Sequence, residues 1–259
     1  MIAALPMYDR AETRAATDRL WSAIATRLRD AGIDAPAALT RAADAWELWQ
    51  SPDLLLAQTC GLPFRAHLHR RVALVGTPDY GVPGCPPGYY RSVIVARAAD
   101  AAPGRPPERP RLAFNDPLSQ SGWAAALEWA TARGLRFSAL VETGAHAASA
   151  AAVAEGRADI AAIDAVTWRL LRRYEPAAAG LRELARTAPV PGLPLIAARG
   201  QDTIALAQAV AGAVAGLDGA DRVALGLVGL VQIPAGAYLA LPIPPHPAAV
   251  AAESGVSPG

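Results

Sequence analysis

The polar residues best suited to binding chemistry lie in the sequence LAFNDPLSQSGW, residues 112–123, where a short apolar run meets a turn. Ser119, Gln120, Ser121 and Gly122 follow that turn and open a predicted helix. Hydroxyls, a side-chain amide and the unsatisfied N–H groups of a first helical turn can together hold an anion. Ser is also a common helix N-cap where no ligand binds. The pattern therefore predicts either an anion site or a simple cap.

A histidine follows about one βα unit later, in the sequence FSALVETGAHAAS, residues 137–149. The pattern predicts a strand, a turn with Gly144 and His146, and a helix. A single His at such a position is often only a cap or a solvated side chain. Neighbouring parallel strands, however, bring their carboxyl ends to one sheet edge, where open α/β sheets bind ligands. We therefore expect His146 to lie beside Ser119 and Ser121.

Composition narrows the class of protein. With 259 residues the chain is long enough for one large α/β domain or two lobes, and 53% hydrophobic with 18% charged residues is typical of a globular protein. The formal net charge is +1 and the charges are interspersed, so we expect no nucleic-acid partner. Prolines interrupt the apolar C-terminal region short of the roughly 20 residues of a membrane span, so we expect no membrane insertion.

The N-terminus bears on the location of the protein. A predicted strand, IAALP, follows Met1 directly. The basic segment, the long apolar segment and the cleavage site of a secretion signal are not seen before it. The sequence as written therefore predicts either a cytoplasmic protein or a chain from which a leader has been removed.

Cys60 and Cys85 are the two cysteines of the chain, in TCGLP and PGCPPG. They form no CxxC pattern, so we expect no metal and no cofactor. A disulfide between them would contribute about 3 to 4 kcal/mol and would suit an oxidising compartment. Two separate thiols are the alternative, and the sequence leaves both open.

Strands and helices alternate in βαβ order, with two breaks. Pro-rich segments at 98–110 and 188–194 enclose a middle region. We predict one lobe from residues 1–97 and 195–259, and a second from residues 98–194 with the anion-binding helix start, the ligand lying in the cleft. The predicted helices are 11–31, 46–50, 202–215 and 221–230, and the predicted strands include 54–58, 72–76, 92–97, 181–187 and 195–198.

Several segments together resemble the phosphate and phosphonate substrate-binding components of ABC importers. The resemblance runs from Leu5 to about Ala198 and rests on MYD, QTCGLP, PPGYYRS, SQSGW, ETGAHAAS and VAEGRADIAAID. It implies the α/β, bilobal type 2 periplasmic-binding-protein fold, with two open α/β lobes joined by two crossing segments. It also implies a periplasmic location, a small anionic ligand and an ABC permease as partner. We expect a monomer.

The resemblance also implies roles for individual residues. In that family the Ser-rich helix start and the His bind the phosphonate or phosphate oxygens, which here implies Ser119, Gln120, Ser121 and His146. By position, the residues around the rest of the ligand would be Tyr8, Thr59 or Cys60, Tyr90 and Asp164. The Ser-Thr-Ser run of the phosphonate binders is here Ser-Gln-Ser, and the bulky Gln120 and Trp123 predict a pocket changed from that of a simple phosphonate binder.

Two other functions use the same architecture. A cytoplasmic enzyme, such as a lyase of the menaquinone-pathway type, would use Ser and His as nucleophile and base, with Asp164 orienting the imidazole. A ligand-sensing domain is the other alternative. The HExxH, Walker and GxGxxG-acid motifs are absent from the sequence. We therefore expect binding with hinge closure rather than catalysis.

Overall fold

A computed structural model describes residues 1–100 and 106–254 of the chain. The strands are β1 (Ile2–Ala4), β2 (Leu54–Gln58), β3 (Val72–Asp79), β4 (Tyr89–Tyr90), β5 (Ser92–Arg97), β6 (Arg111–Phe114), β7 (Ala139–Glu142), β8 (Ile160–Asp164), β9 (Leu181–Arg186), β10 (Val190–Pro191), β11 (Leu195–Ala198) and β12 (Gly229–Val231). The α-helices are α1 (Arg14–Asp30), α2 (Ala45–Gln50), α3 (Gly61–Pro63), α4 (Ala125–Thr131), α5 (His146–Ala154), α6 (Ala165–Tyr174), α7 (Thr203–Ala215), α8 (Gly219–Leu225), α9 (Ala235–Leu239) and α10 (Pro247–Ser254). Two π-helical segments, Phe64–Leu68 and Gln120–Ala124, and a 3-10 segment, Pro176–Gly180, complete the helical elements of this part of the chain.

The chain forms two compact units. Unit 1 comprises residues 1–89 and 191–241, and unit 2 comprises the described residues of 90–190 and 242–254. This division differs from the predicted one, in which the first lobe comprised residues 1–97 and 195–259. β5 belongs to unit 2 because it pairs with β8 and β9, and the C-terminal residues return to unit 2, so the chain passes between the units three times rather than twice. Residues 101–105 of the predicted Pro-rich boundary lie outside the described residues.

Unit 1 is built on a sheet with the strand order β1-β2-β11-β3-β12. β2, with the sequence LLLAQ, is buried at all five positions and has neighbours on both sides, which explains its uninterrupted apolar run. Helix α1 presents Leu20, Ile24 and Leu28 at helical spacing to a core shared with α7. The predicted helix 221–230 is wrong beyond Leu225. Gly226 adopts a left-handed conformation with φ 61°, and β12 then pairs with β3.

A buried tyrosine ties three segments of unit 1 together. The hydroxyl of Tyr238, whose side chain is 0% exposed, donates to the carbonyl of Gly192 and lies 2.6 Å from Thr77 Oγ1. Burial raises the pKa of Tyr238. We expect Tyr238→Phe to lower the free energy of unfolding by about 1 to 3 kcal/mol, because both partners lose a hydrogen bond inside the protein. Denaturant unfolding measures this. The free energy of unfolding lost through Tyr238→Phe should be smaller in a Thr77→Val background than in the wild type. Equal losses in both backgrounds would contradict the coupling.

Unit 2 is built on a sheet with the order β7-β6-β8-β5-β9. β6 is parallel to both of its neighbours, β7 and β8, with Leu112 level with Leu140 on one side and with Ile160 on the other. The carboxyl ends of these three strands therefore meet at one edge. The segments that follow them, which carry the predicted anion-binding residues, begin at that edge.

The C-terminal segment is part of the core of unit 2. The indole N–H of Trp123 donates to the carbonyl of Pro245 at 2.9 Å, and Ala251 of α10 lies in the same core cluster as Trp123. In the described part of the chain no single helix has both the length and the apolar character to cross a membrane. Helices α7 and α8 reach those criteria only as a pair, which is bent by 114°.

Candidate functional site

The turn after β6 is shaped by its own polar side chains. Asp116 Oδ1 accepts from the N–H of Leu118 at 2.6 Å, and the Asp116 carbonyl accepts from the N–H of Ser119. Ser119 is extended, with φ −84° and ψ 123°, and its Oγ accepts from the N–H of Gly122 at 2.9 Å. Ser119 is therefore the N-cap of the helix that follows. Because its oxygen serves as the acceptor in this cap, its own O–H remains available as a donor.

The first turn of that helix is π-helical, over Gln120–Ala124, and continues into α4. Ser119 Oγ and Ser121 Oγ lie 3.4 Å apart, and both side chains are buried, at 5% and 4% exposure. The carbonyl of Ser121 accepts from Ser92 Oγ at 3.0 Å, which ties the turn to β5. The N–H of Ser121 lies in the first turn, where amides have no acceptor within the helix. Hydroxyl and amide donors are thus gathered at one helix start.

His146 begins α5, after the turn that follows β7. Thr143 anchors this turn to the end of β6, because both its N–H and its hydroxyl lie within hydrogen-bond distance of the Phe114 carbonyl, at 2.9 and 3.0 Å. His146 Nε2 lies 2.8 Å from Ser121 Oγ. The prediction that the serines and the histidine meet at one edge of the sheet is confirmed.

The environment of His146 favours the neutral ring. The residue as a whole is partly exposed, but its ring atom Nδ1 is buried and makes no hydrogen bond of good geometry. Desolvation lowers the pKa of His146 from 6.5 to about 4, and the nearby backbone of Ala162 opposes this in part. An imidazole with such a low pKa carries no charge at neutral pH while the site is empty of anions.

This pKa gives a stability prediction for the ligand-free protein. The unfolded chain takes a proton on His146 near the ordinary value of 6.5, whereas the folded ring resists it down to about 4. The native state therefore loses stability as the pH falls from 6.5 towards 4, and this component should be missing in His146→Gln. Denaturant unfolding at several pH values measures it, with the exposed His67 replaced in a control, His67→Gln. Parallel curves for wild type and His146→Gln would contradict the assigned environment.

Asp164 is placed at the same edge by strand register. It is level with Ser92 in the β5–β8 pair, and Ser92 in turn binds the carbonyl of Ser121. Asp164 is 2% exposed, and its Oδ1 accepts from the N–H groups of Val166 and Thr167 at 2.7 and 2.9 Å. The carboxylate is therefore the N-cap of α6. The enzyme alternative needs it on His146 Nδ1, which has no hydrogen-bond partner of that kind.

Asn115 lies beside the helix start and was missed by sequence reasoning. A Cβ placed on Gly122 would lie 1.8 Å from Asn115 Oδ1 and 3.2 Å from Ser119 Oγ. A larger residue at this position requires the Asn115 amide or the helical turn to move, since the amide covers Gly122. The sequence feature that could have predicted a role for Asn115 is its position directly after β6, at the carboxyl end of the strand. Ser92 was missed because it precedes Ser121 by 29 residues, with no local pattern linking the two.

The remaining predicted residues are divided between the units. Tyr8, Thr59 and Cys60 belong to unit 1, whereas Tyr90, which is 3% exposed, precedes β5 in unit 2. Trp123 lies in the first helical turn, and its ring is fully buried against Phe114 in the core of unit 2. The expectation that Gln120 and Trp123 together change the pocket stays a prediction.

In unit 1 the predicted residues follow two neighbouring strands, Tyr8 after β1 and Thr59 and Cys60 after β2. Tyr8 packs edge-on against Tyr80, with ring centroids 4.8 Å apart, and Gln58 donates to the Tyr80 hydroxyl. Thr59 is fully buried, and its N–H donates to the carbonyl of Pro194. Cys60 begins the turn into α3, and no disulfide joins it to Cys85. The structure thus takes the separate-thiol alternative.

Comparison with known proteins identifies the family. Residues 2–233 match the sequence profile of a family described as the periplasmic substrate-binding protein of phosphonate ABC transporters. The chain belongs to this family. Its members are solute-binding proteins of ABC importers, so the resemblance seen in the sequence is confirmed. No curated protein matches the sequence of this chain.

Solved structures of the same fold agree with the family assignment. PhnD1 from Prochlorococcus marinus, in complex with methylphosphonate, shares 14% identity and a TM-score of 0.69, over 92% of this chain and 94% of its own. XAC2383 from Xanthomonas citri, bound to chloride, shares 18% identity and a TM-score of 0.65, over 90% and 91%. A histidine kinase sensor domain shares 14% identity and a TM-score of 0.56, over 90% and 98%. This phosphonate-family protein therefore has the bilobal type 2 periplasmic-binding-protein fold.

Proposed function

We propose that this chain binds a small molecule with a phosphonate or phosphate group at the helix start of Ser119 and at His146, and delivers it to an ABC importer. The observation that carries the proposal is the cluster of Ser119, Ser121 and His146, in which Nε2 and Ser121 Oγ lie 2.8 Å apart. The helix dipole and the first-turn N–H groups add positive potential at the same place. Gln120 and Gly122 complete this turn.

The number of donors is sufficient for useful affinity. A charge-assisted hydrogen bond contributes about 1.5 to 3 kcal/mol. Three or four of them, from two hydroxyls, an amide and the imidazole, support dissociation constants of about micromolar after the cost of association is subtracted. The buried position of both serines excludes competing water, which strengthens each bond.

The other parts of the proposal follow from the family. Tyr8, Thr59 or Cys60, Tyr90 and Asp164 would surround the organic part of the ligand, and Gln120 in place of the usual Thr would select a ligand other than a simple phosphonate. We place the protein in the periplasm, as a monomer that meets an ABC permease and performs no catalysis. The position of Asp164 supports binding over catalysis, because the catalytic alternative needs this carboxylate to orient the His146 imidazole and its Oδ1 instead caps α6.

The first experiment is thermal unfolding of the purified protein against a panel of oxyanions. The panel contains phosphate, alkyl phosphonates, phosphate esters, sulfonates and carboxylates, with methylphosphonate and methanesulfonate as a pair of equal shape. A ligand at about 100 times its dissociation constant adds about 2.7 kcal/mol of stability, which is several degrees of melting temperature. We expect stabilisation by phosphorus compounds only. No shift with any phosphorus compound, or equal shifts with carboxylates, would contradict the proposal.

A further inference from the structure

While the His146 ring is neutral, the Ser121–His146 pair cannot both satisfy its own hydrogen bonds and donate one to an anion. If Nδ1 holds the ring proton, Nε2 accepts from Ser121, and the Ser121 oxygen then turns only lone pairs towards the site. If Nε2 holds the proton, it donates to Ser121, and the buried Nδ1 is left as an acceptor that no donor meets. Either neutral form leaves one group of the pair unsatisfied when an anion binds.

The doubly protonated ring resolves this conflict. Nδ1–H then points to the side of the nearby Ala162 backbone, and Nε2–H donates to Ser121 Oγ. The hydroxyl hydrogen of Ser121 is released and can donate to the anion. What the ring lacks without a ligand is a negative charge to balance its own.

Charged groups on the surrounding elements do not supply that charge. Desolvation lowers the pKa of His146, the Ala162 backbone opposes this in part, and no charged side chain contributes. Asp159 pairs with Arg111 at the other end of β6, Asp164 caps α6, and Arg97 binds the carbonyl of Val153 near the far end of α5. The titratable and charged side chains on the elements around α5 are Arg97 on β5, Arg111 on β6, Glu142 on β7, Asp159 and Asp164 next to and on β8, Glu175 before the 3-10 segment, and Arg182, Glu183 and Arg186 on β9.

We propose that His146 takes up a proton when the oxyanion binds, so that the site holds a dianion together with one proton. The inference rests on the proposed function and deepens it. The proton comes from solvent and resides on the ring, and the ligand remains fully ionised. A group with two negative charges, such as a phosphonate or a phosphate monoester, is then preferred to a sulfonate of the same shape, because the dianion attracts the imidazolium more strongly and its oxygens are stronger acceptors for the hydroxyl donors.

Calorimetry tests this with methylphosphonate as the probe, or with phosphate if that gives the larger thermal shift. Titrations are made at about pH 8.5, where the probe is mostly the dianion, in two buffers of different ionisation enthalpy. We expect uptake of about one proton per ligand in the wild type and an affinity that falls about tenfold per pH unit above that pH. His146→Gln should bind more weakly with uptake near zero, and the control His67→Gln should behave as wild type.

Nitrogen-15 NMR of the histidine rings distinguishes a proton on the ring from one on the ligand. We expect the His146 nitrogens to shift to imidazolium values in the complex and to neutral values without ligand. A ligand that binds without proton uptake, an unchanged uptake in His146→Gln, or a ring that stays neutral in the complex would overturn the inference while leaving the proposed function standing. No binding of any phosphorus compound would instead overturn the proposed function.

Discussion

Gly122→Ala should abolish most of the anion affinity. The added methyl group would stand 1.8 Å from Asn115 Oδ1 and 3.2 Å from Ser119 Oγ, so either the Asn115 amide or the first helical turn must move. Moving the turn breaks the Gly122 to Ser119 hydrogen bond and misplaces both serine hydroxyls. The loss of two charge-assisted bonds corresponds to a fall of about a hundredfold or more in affinity. Overpacking should also lower the free energy of unfolding by about 1 to 3 kcal/mol.

Two further variants isolate the cause. Gly180→Ala is the control in the same unit, because a Cβ at Gly180 meets nothing within 4 Å. Asn115→Ala combined with Gly122→Ala removes the group that the methyl strikes, so part of the affinity and stability should return. Calorimetric titration with the best phosphorus compound and denaturant unfolding measure the two effects. Wild-type affinity in Gly122→Ala would show that this helix start does not hold the ligand.

Ser121→Ala should reduce anion affinity by about tenfold or more with little change in melting temperature. The substitution removes the hydroxyl that lies 2.8 Å from His146 Nε2 and, in our proposal, one charge-assisted bond to the ligand. Ser121 caps no helix, so the backbone of the turn should remain in place. Calorimetric titration and thermal unfolding measure both quantities, and Ser138→Ala, at an exposed serine of unit 2, is the matched control.

Comparison with Ser119→Ala separates capping from binding. Ser119 accepts from the Gly122 N–H, so its removal should lower stability by about 1 kcal/mol as well as affinity. If Ser121→Ala loses as much stability as Ser119→Ala and keeps its affinity, then the serines serve the fold alone. The two interpretations of the SQSGW sequence therefore lead to opposite results.

Much of the local structure was predictable because it depends on short-range chemistry. The apolar run at residues 54–58 became β2, and strands 92–97 and 195–198 were predicted at their observed bounds. The polar turn before Ser119 follows from Asp116 and Pro117, and the start of α5 at His146 follows from the Gly144 turn. The exception is the predicted helix 221–230, which ends at Leu225. Gly226 ends α8 and β12 pairs with β3, a partner about 150 residues earlier in the chain, which no local pattern reveals.

The division of the chain was less predictable, because domain membership is decided by long-range pairing. Proline clusters marked residues 98–110 and 188–194 as breaks, but β5 joins unit 2 through its ladders with β8 and β9. Residues 242–254 carry no signal for their destination. They join unit 2 because the Pro245 carbonyl accepts from the Trp123 indole and Ala251 fills the same core.

The sequence by itself determined the fold class, the family and the types of residue at the candidate site, because strand periodicity, turn chemistry and the SQSGW and GAH segments are local properties of the chain. Only the tertiary structure decided which of those residues act together. Parallel pairing of β6 with β7 brings His146 to Ser121, and the register of β5 with β8 places Ser92 level with Asp164. Trp123 turns into the core while Asn115 covers Gly122. Such contacts depend on side-chain direction and packing between segments distant in sequence, and local patterns carry no information about either.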